Sequence, residues 1–222
     1  IERKAIIGAA EKSGGGKVYL EYEPKVAAIG AGLDIFSPIA SMVIDMGGGT
    51  SDIAVLSLGD IVASESIRVA GDKMNADIAG YVKREHGLQI GERTAEQIKI
   101  KIGTATPLDD PEEMEVRGRD NFTGMPRTIT LNANEVEAAM HDTLAQIVNA
   151  AHQVLSVIQP ELAADIIDRG VVLTGGGALL RGMDKLISGH LGVPVMISES
   201  PLDNVAVGAG KLLEHMHGVQ GK

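Results

Sequence analysis

The sequence predicts an α/β protein, and three observations carry that reading. Residues 41–69 form a meander of three strands broken by one glycine loop. After a polar segment with three prolines, helices and strands alternate along the rest of the chain, which is the pattern of a parallel arrangement. Two apolar strands each run into a triple glycine, Gly47-Gly48-Gly49 and Gly175-Gly176-Gly177.

Taken in order, residues 1–13 read as a helix that stops at Ser13 and Gly14. A strand is expected over 17–21 and a helix of small residues over 25–32, with a boundary loop at 34–38. Met42 to Met46 is an apolar run with Asp45 near its tip, as in a buried central strand reaching a site. Residues 53–58 return after the glycines, and Gly59-Asp60 reads as a hairpin turn into 61–69. Helices follow over 72–85 and 94–103. Residues 104–133, with Pro107, Pro111 and Pro126, look like a small α+β insertion with strands at 113–118 and 127–131. The clearest helix starts at Asn134, with Glu137 three residues on as in a capping box, and it ends before Pro160. A strand at 170–173, a helix at 179–191, a strand at 193–197 and a helix at 204–217 complete the chain.

Composition narrows the function. The chain has 222 residues, 44% of them hydrophobic, so it is long and apolar enough to bury a substantial core. Only 2% are aromatic and the net charge is −10 with no basic run, which argues against stacking platforms and phosphate-backbone partners of the nucleic-acid kind. Cysteine is absent, which rules out disulfides and thiolate metal sites. No apolar stretch approaches the length of a membrane span. The chain starts without Met and inside an expected helix, which reads as a piece of a longer protein.

The chemistry concentrates in the glycine turns. In Asp45-Met46-Gly47-Gly48-Gly49-Thr50, glycines after a buried strand allow a tight turn with positive φ, whose exposed N–H groups form an anion nest. Asp45 can hold a hydrated Mg²⁺ through water, and Thr50 adds a hydroxyl. A glycine hairpin without ligand is the competing reading, at even odds for the turn taken alone. The second turn, Gly175-Gly176-Gly177-Ala178, also lies at the carboxyl end of an apolar strand, where α/β sheets bind ligands; close strand–helix packing explains it equally well. Neither turn is a P-loop, since Gly-Lys-[Ser/Thr] is absent, and Gly30-Ala31-Gly32 lacks the third glycine of a dinucleotide fingerprint. The histidines show no metal-ligand spacing, and the nine methionines read as core filler.

Four stretches resemble the MreB family of bacterial actin-like proteins in order and spacing: Glu23-Pro24-x-x-Ala27-Ala28, residues 42–52, residues 91–96 and residues 170–181. The phrase at 23–32 looks closer to the Mbl branch; Lys25 stands where MreB proper commonly has Met, and Ser51 replaces a more usual Thr. The resemblance covers nearly the whole chain. It implies the second half of an actin-like ATPase fold (ribonuclease H-like), with the first half largely missing. Residues 1–38 would end the first lobe, 39–74 and 134–217 would form the second large subdomain, 75–133 its small insertion, and 218–222 a tail.

What the resemblance implies for function is specific. ATP and Mg²⁺ would bind in a cleft, with Asp45, Gly47, Gly48, Gly49 and Thr50 as the second phosphate loop and Gly175, Gly176, Gly177 and Ala178 under the adenosine. Glu96 and Lys99 would reach the ribose and adenine, although by spacing alone they read as an exposed salt-bridge face. Glu23 would orient the attacking water; without the resemblance it reads as a helix N-terminal acid, and Glu21 is a neighbouring alternative. The expected protein is a cytoskeletal ATPase whose filaments direct cell shape and wall elongation. Its partners would be itself, the wall-elongation machinery and, through the missing half, the membrane, with a cytoplasmic, membrane-associated location and no nucleic acid. Because the first phosphate loop would lie upstream of Ile1, the chain alone is expected to bind ATP weakly and hydrolyse little. The competing readings are a chaperone or sugar-kinase ATPase of the same fold, and a nucleotide-independent interaction module.

Overall fold

A computed structural model describes residues 2–219, with side chains from 3 to 216. Residue 1, the end of the expected tail and the His217 side chain lie outside them. Helix α1 (Glu2–Lys12) ends where the Ser13 amide and hydroxyl both return to the Ala9 carbonyl. The strand expected over 17–21 does not form, because no neighbouring strand offers it a ladder among the described residues. That segment leads into α2 (Glu23–Gly30), which starts two residues earlier than expected with Pro24 in its first turn, where a missing N–H goes unneeded.

A five-stranded sheet follows, built from β1 (Ser41–Met46), β2 (Ser51–Ser57), β3 (Asp60–Ile67), β7 (Val171–Thr174) and β8 (Val195–Ile197) in the order β3-β2-β1-β7-β8. The first three strands are antiparallel, and β7 and β8 run parallel to β1. Every residue of β1 is buried because both faces of the sheet are covered. Met42, Ile44 and Met46 point into the main core with Ile147 and Ala151, whereas Val43 joins Ala28, Ala54 and Leu56 on the opposite face. The hairpin turn lies at Leu58-Gly59, both with left-handed φ, and Asp60 already begins β3.

The segment between β3 and the longest helix forms α3 (Gly71–His86), β4 (Leu88–Gln89), α4 (Glu92–Ile102), β5 (Glu113–Asp120) and β6 (Pro126–Asn132). Its three strands make a separate antiparallel sheet, β4-β5-β6. Helix α5 (Ala133–Val157) joins the two sheets, and its cap is Asn132 rather than Asn134. Asn132 Oδ1 accepts from Glu135 N at 3.0 Å, and Glu135 Oε2 accepts from Asn132 N at 3.0 Å. Asn134 instead bonds both backbone groups of Leu108, so it straps down the preceding loop.

Beyond Pro160 the chain forms α6 (Pro160–Arg169), an element the sequence reading passes over; its Asp165 accepts a bond from Ala40 N at the entry to β1. After β7 comes a 3₁₀ turn, Gly176–Leu179, so that α7 (Met183–Leu191) begins later than expected. Helix α8 (Asn204–Val219) runs into the region expected as tail and crosses α2 very closely. A Cβ on Gly30 would stand 1.8 Å from the Asn204 carbonyl oxygen, and one on Gly208 1.9 Å from that of Val26.

Candidate functional site

The carboxyl ends of β1 and β7 lie side by side, with Asp45 opposite Thr174, and both glycine turns therefore open at the same edge of the sheet. In the first turn Gly47 N donates to the Thr50 carbonyl at 2.9 Å. The Gly47 and Gly48 carbonyls accept from Gly71 N at 3.2 Å and Asp72 N at 2.8 Å, which pins the loop to the start of α3. The N–H groups of Gly48, Gly49 and Thr50 have no partner among the described residues. Three consecutive free donors form an anion site. The positive φ expected at Gly47, Gly48 and Gly49 is absent; the loop closes without it. Nor does packing demand these glycines, since a Cβ at Gly49 would meet open space and one at Gly48 only ordinary contact with the Asp72 carboxylate. What glycine preserves is room above the loop.

The second turn obeys the opposite logic. Gly175 has φ +79°, and its Cβ would stand 2.4 Å from the Met46 carbonyl oxygen and 2.6 Å from Asp45 Oδ1. A Cβ on Gly177 would lie 2.7 Å from that of Met46. Close packing against β1 thus explains Gly175 and Gly177, and the turn is held by Gly175 N donating to Pro201 O at 2.9 Å. Ala178 is fully buried behind it.

Between the turns opens a cleft of about 750 Å³, a size suited to a small-molecule ligand. Glu23, Asp45, Gly47, Gly48, Glu96, Lys99, Gly175, Gly176 and Gly177 all line it. Gly49, Thr50 and Ala178 are not part of its lining. Glu21 forms an ion pair with Lys25 at 3.1 Å and stays out, which separates it from Glu23. The sequence reading missed Asp72, Leu180, Arg181 and Leu202, which line the same cleft. Only Asp72 left a local trace, an acid directly after Gly71 at a helix start.

The charges are unbalanced in a telling way. Asp45 is 5% exposed, and its carboxyl is pushed up to about 6 by burial, then by the nearby charges of Glu23 and Asp52. It has no hydrogen-bond or ion-pair partner among the described residues. A carboxylate in that state suits a cation. Among the described residues no cluster of acids and histidines could hold a metal alone, so a cation here needs water or ligand oxygens as well. Lys99 and Glu96 both face the cleft and form no ion pair with each other; Lys99 Nζ donates to Gly71 O at 2.9 Å. Burial lowers the Lys99 pKa from its ordinary value, while Glu96 and Asp72 work in the other direction. Of the histidines, His86 pairs with Glu135 at 2.9 Å and His215 stacks on Phe36, both away from the cleft.

Comparison with known proteins gives a consistent result. The family described as MreB/Mbl protein matches residues 1–221. The chain is 60% identical over 216 residues to the cell shape-determining protein Mbl of Bacillus subtilis (strain 168), covering 97% of this chain and 65% of that protein. It is 50% identical over 220 residues to the cell shape-determining protein MreB of Escherichia coli (strain K12), covering 98% of this chain and 63% of that protein. Among solved structures it is similar to MreB5 of Spiroplasma citri bound to ADP, with TM-score 0.95 and 34% identity over 100% of this chain and 68% of the other. The AMPPNP-bound form gives TM-score 0.94 at 35% identity, covering 98% of this chain and 65% of the other. The chain therefore has the actin-like fold and spans about 65% of the length of the curated relatives it matches. Its sequence and its fold agree: the chain belongs to the MreB/Mbl family.

Proposed function

We propose that the protein to which this chain belongs is an ATP-binding cytoskeletal protein whose filaments direct cell shape and wall elongation. The observation that carries the nucleotide reading is the row of free N–H groups at Gly48, Gly49 and Thr50, in a loop that borders the cleft through Gly47 and Gly48 beside an uncompensated Asp45. The likeness to MreB5 of Spiroplasma citri, described as bound to AMPPNP and to ADP, supports it. The relatives' description as cell shape-determining supports the cellular role.

In this reading the glycine loop binds phosphate through its backbone. Asp45 would hold Mg²⁺ through water, and the ion would supply charge neutralisation at the phosphates. Glu23, at the start of α2, orients the attacking water and accepts its proton. Glu96 and Lys99 on α4 recognise the ribose and base, and Gly176 with Leu202 forms the floor beneath the adenosine. Nucleotide occupancy biases the subunit toward the shape that assembles head to tail. Partners are further copies, the wall-elongation machinery and the membrane surface, at the cytoplasmic side.

The test is ATP-dependent pelleting of the intact protein. Gly48→Asp places a carboxylate beside the donors and is expected to abolish nucleotide binding and pelleting. Glu23→Ala is expected to bind ATP and pellet while releasing phosphate more slowly by about a hundredfold or more, on the order of the usual general-base contribution. Unchanged pelleting by Gly48→Asp would favour a nucleotide-independent module instead.

A further inference from the structure

At one end of the cleft, lined by Ile100, Gly103, Leu179 and Leu180, the segment carrying the small sheet meets the segment that follows β7. The joint is made of backbone. Thr104 pairs in parallel with Arg181, and Ala105 N donates to the Arg181 carbonyl at 2.7 Å. Gly182 takes φ +76°, and a Cβ there would stand 2.8 Å from Thr106 Oγ1. Across this joint the Arg181 guanidinium forms a two-pronged bond to Glu112, Nη1 to Oε1 at 3.2 Å and Nη2 to Oε2 at 2.9 Å. Glu112 is itself anchored, its carbonyl accepting from Ala133 N at 2.9 Å at the foot of α5. One side chain of the pair thus belongs to the approach to β5 and the other to the cleft wall.

The arrangement does more than add a surface ion pair. Both terminal nitrogens of Arg181 are engaged, which fixes the side chain in one orientation as part of the wall. The paired carboxylate also cancels its charge. The hydrogen bond from Arg181, and then its charge, hold the Glu112 carboxyl below the ordinary carboxylate range, so the pair persists through neutral pH.

We infer that Arg181 is a positioning residue for the nucleotide: latched to Glu112, it holds the apolar end of the cleft closed on the base and slows release. This rests on the nucleotide reading above. The pair is half-exposed, at 43% and 55%, so its effect is modest. The experiment is stopped-flow release of a fluorescent ATP analogue from the intact protein carrying Glu112→Gln, Arg181→Lys, or the exchange of Glu112→Arg with Arg181→Glu. Each single substitution is expected to speed release about fivefold with association unchanged, and the exchange to restore the rate to within about twofold. Glu112→Gln changes no bulk at an exposed site, and its nucleotide-free melting temperature is expected to match the unaltered protein, which a merely structural role would not allow. Release rates unmoved in both single variants would overturn the latch while leaving nucleotide binding intact. Faster release that the exchange does not recover would overturn it too. Failure of the unaltered protein to bind the analogue would overturn the nucleotide reading itself, and the latch with it.

Discussion

Asp45 sits where three carboxylates converge, and its raised pKa has a defined sign. Its folded value of about 6 lies above the ordinary 3.8, through burial first and the charges of Glu23 and Asp52 second. Between those two values the native state holds a proton that the unfolded chain has lost, so stability falls as pH rises through the window. Near neutral pH, ionised Asp45 opposes folding by up to about 3 kcal/mol. Asp45→Asn keeps the shape and removes the charge. The variant without nucleotide is expected to melt several degrees higher than the unaltered protein at pH 7.5, with the gain vanishing toward pH 4, and to lose magnesium-dependent nucleotide binding. Melting curves of both proteins across that range check it; a gain equal at every pH would rule out the titration. Asp45 was legible from a local pattern, the end of an apolar strand, whereas Glu23, an acid before a proline at a helix start, was singled out only through the family resemblance. Arg181 was not legible, because it enters the cleft by pairing with Thr104, 77 positions earlier in the chain. Asp72 comes there through the bond of its own amide to Gly48.

At the scale of single elements, α5 shows what periodicity fixes and what it leaves open. The apolar stripe from Val136 to Val154 is unmistakable, yet two Asn-x-x-Glu frames, Asn132 with Glu135 and Asn134 with Glu137, fit its start equally well. The choice is made by β6, which carries the chain to Asn132 in register with Glu113 and leaves Asn134 facing Leu108. Asn132→Ala is accordingly expected to cost about 1 kcal/mol in urea unfolding, the usual value of a cap. Glu137→Ala removes only a 3.4 Å contact to His141 and no capping bond, so it should cost less than Asn132→Ala. The reverse order of effects would return the cap to Asn134. Helix α6 went unread although Pro160 in its first turn and Leu162 and Ile166 at helical spacing mark it locally. The opposite error at 17–21 came from local β-propensity with no strand to pair against, a tertiary fact no window of residues contains.

For the molecule as a whole, the seam between α2 and α8 matters most, because each helix delivers a residue to the cleft: Glu23 from the first and Val205 from the second. The glycine loop and Asp45 belong to the five-stranded sheet, against which α2 packs through Ala28 on Val43, Ala54 and Leu56. The position of Glu23 relative to the proposed phosphate site depends on that contact and on how closely the two helices approach. Gly30 and Gly208 set that distance, since a Cβ on Gly208 would stand 1.9 Å from the Val26 carbonyl oxygen and 2.9 Å from Gly30 N. No rotamer relieves a clash with backbone, so Gly208→Ala must push the helices apart by about 1 Å or more to reach normal contact. Overpacking of this kind costs about 1–3 kcal/mol, which unfolding curves would register. The displacement should also act unequally on the two halves of the chemistry. On the proposed function, phosphate is bound by the backbone of Gly48, Gly49 and Thr50, which stay with β1, so ATP affinity is expected to change little. On the same proposal, hydrolysis needs Glu23 in line with the phosphorus, where a shift of about 1 Å can cost on the order of a hundredfold. Phosphate release by the folded Gly208→Ala protein at saturating ATP is therefore expected to fall well below the unaltered rate. A variant that loses stability but hydrolyses at full rate would show that α2 reaches the site independently of α8.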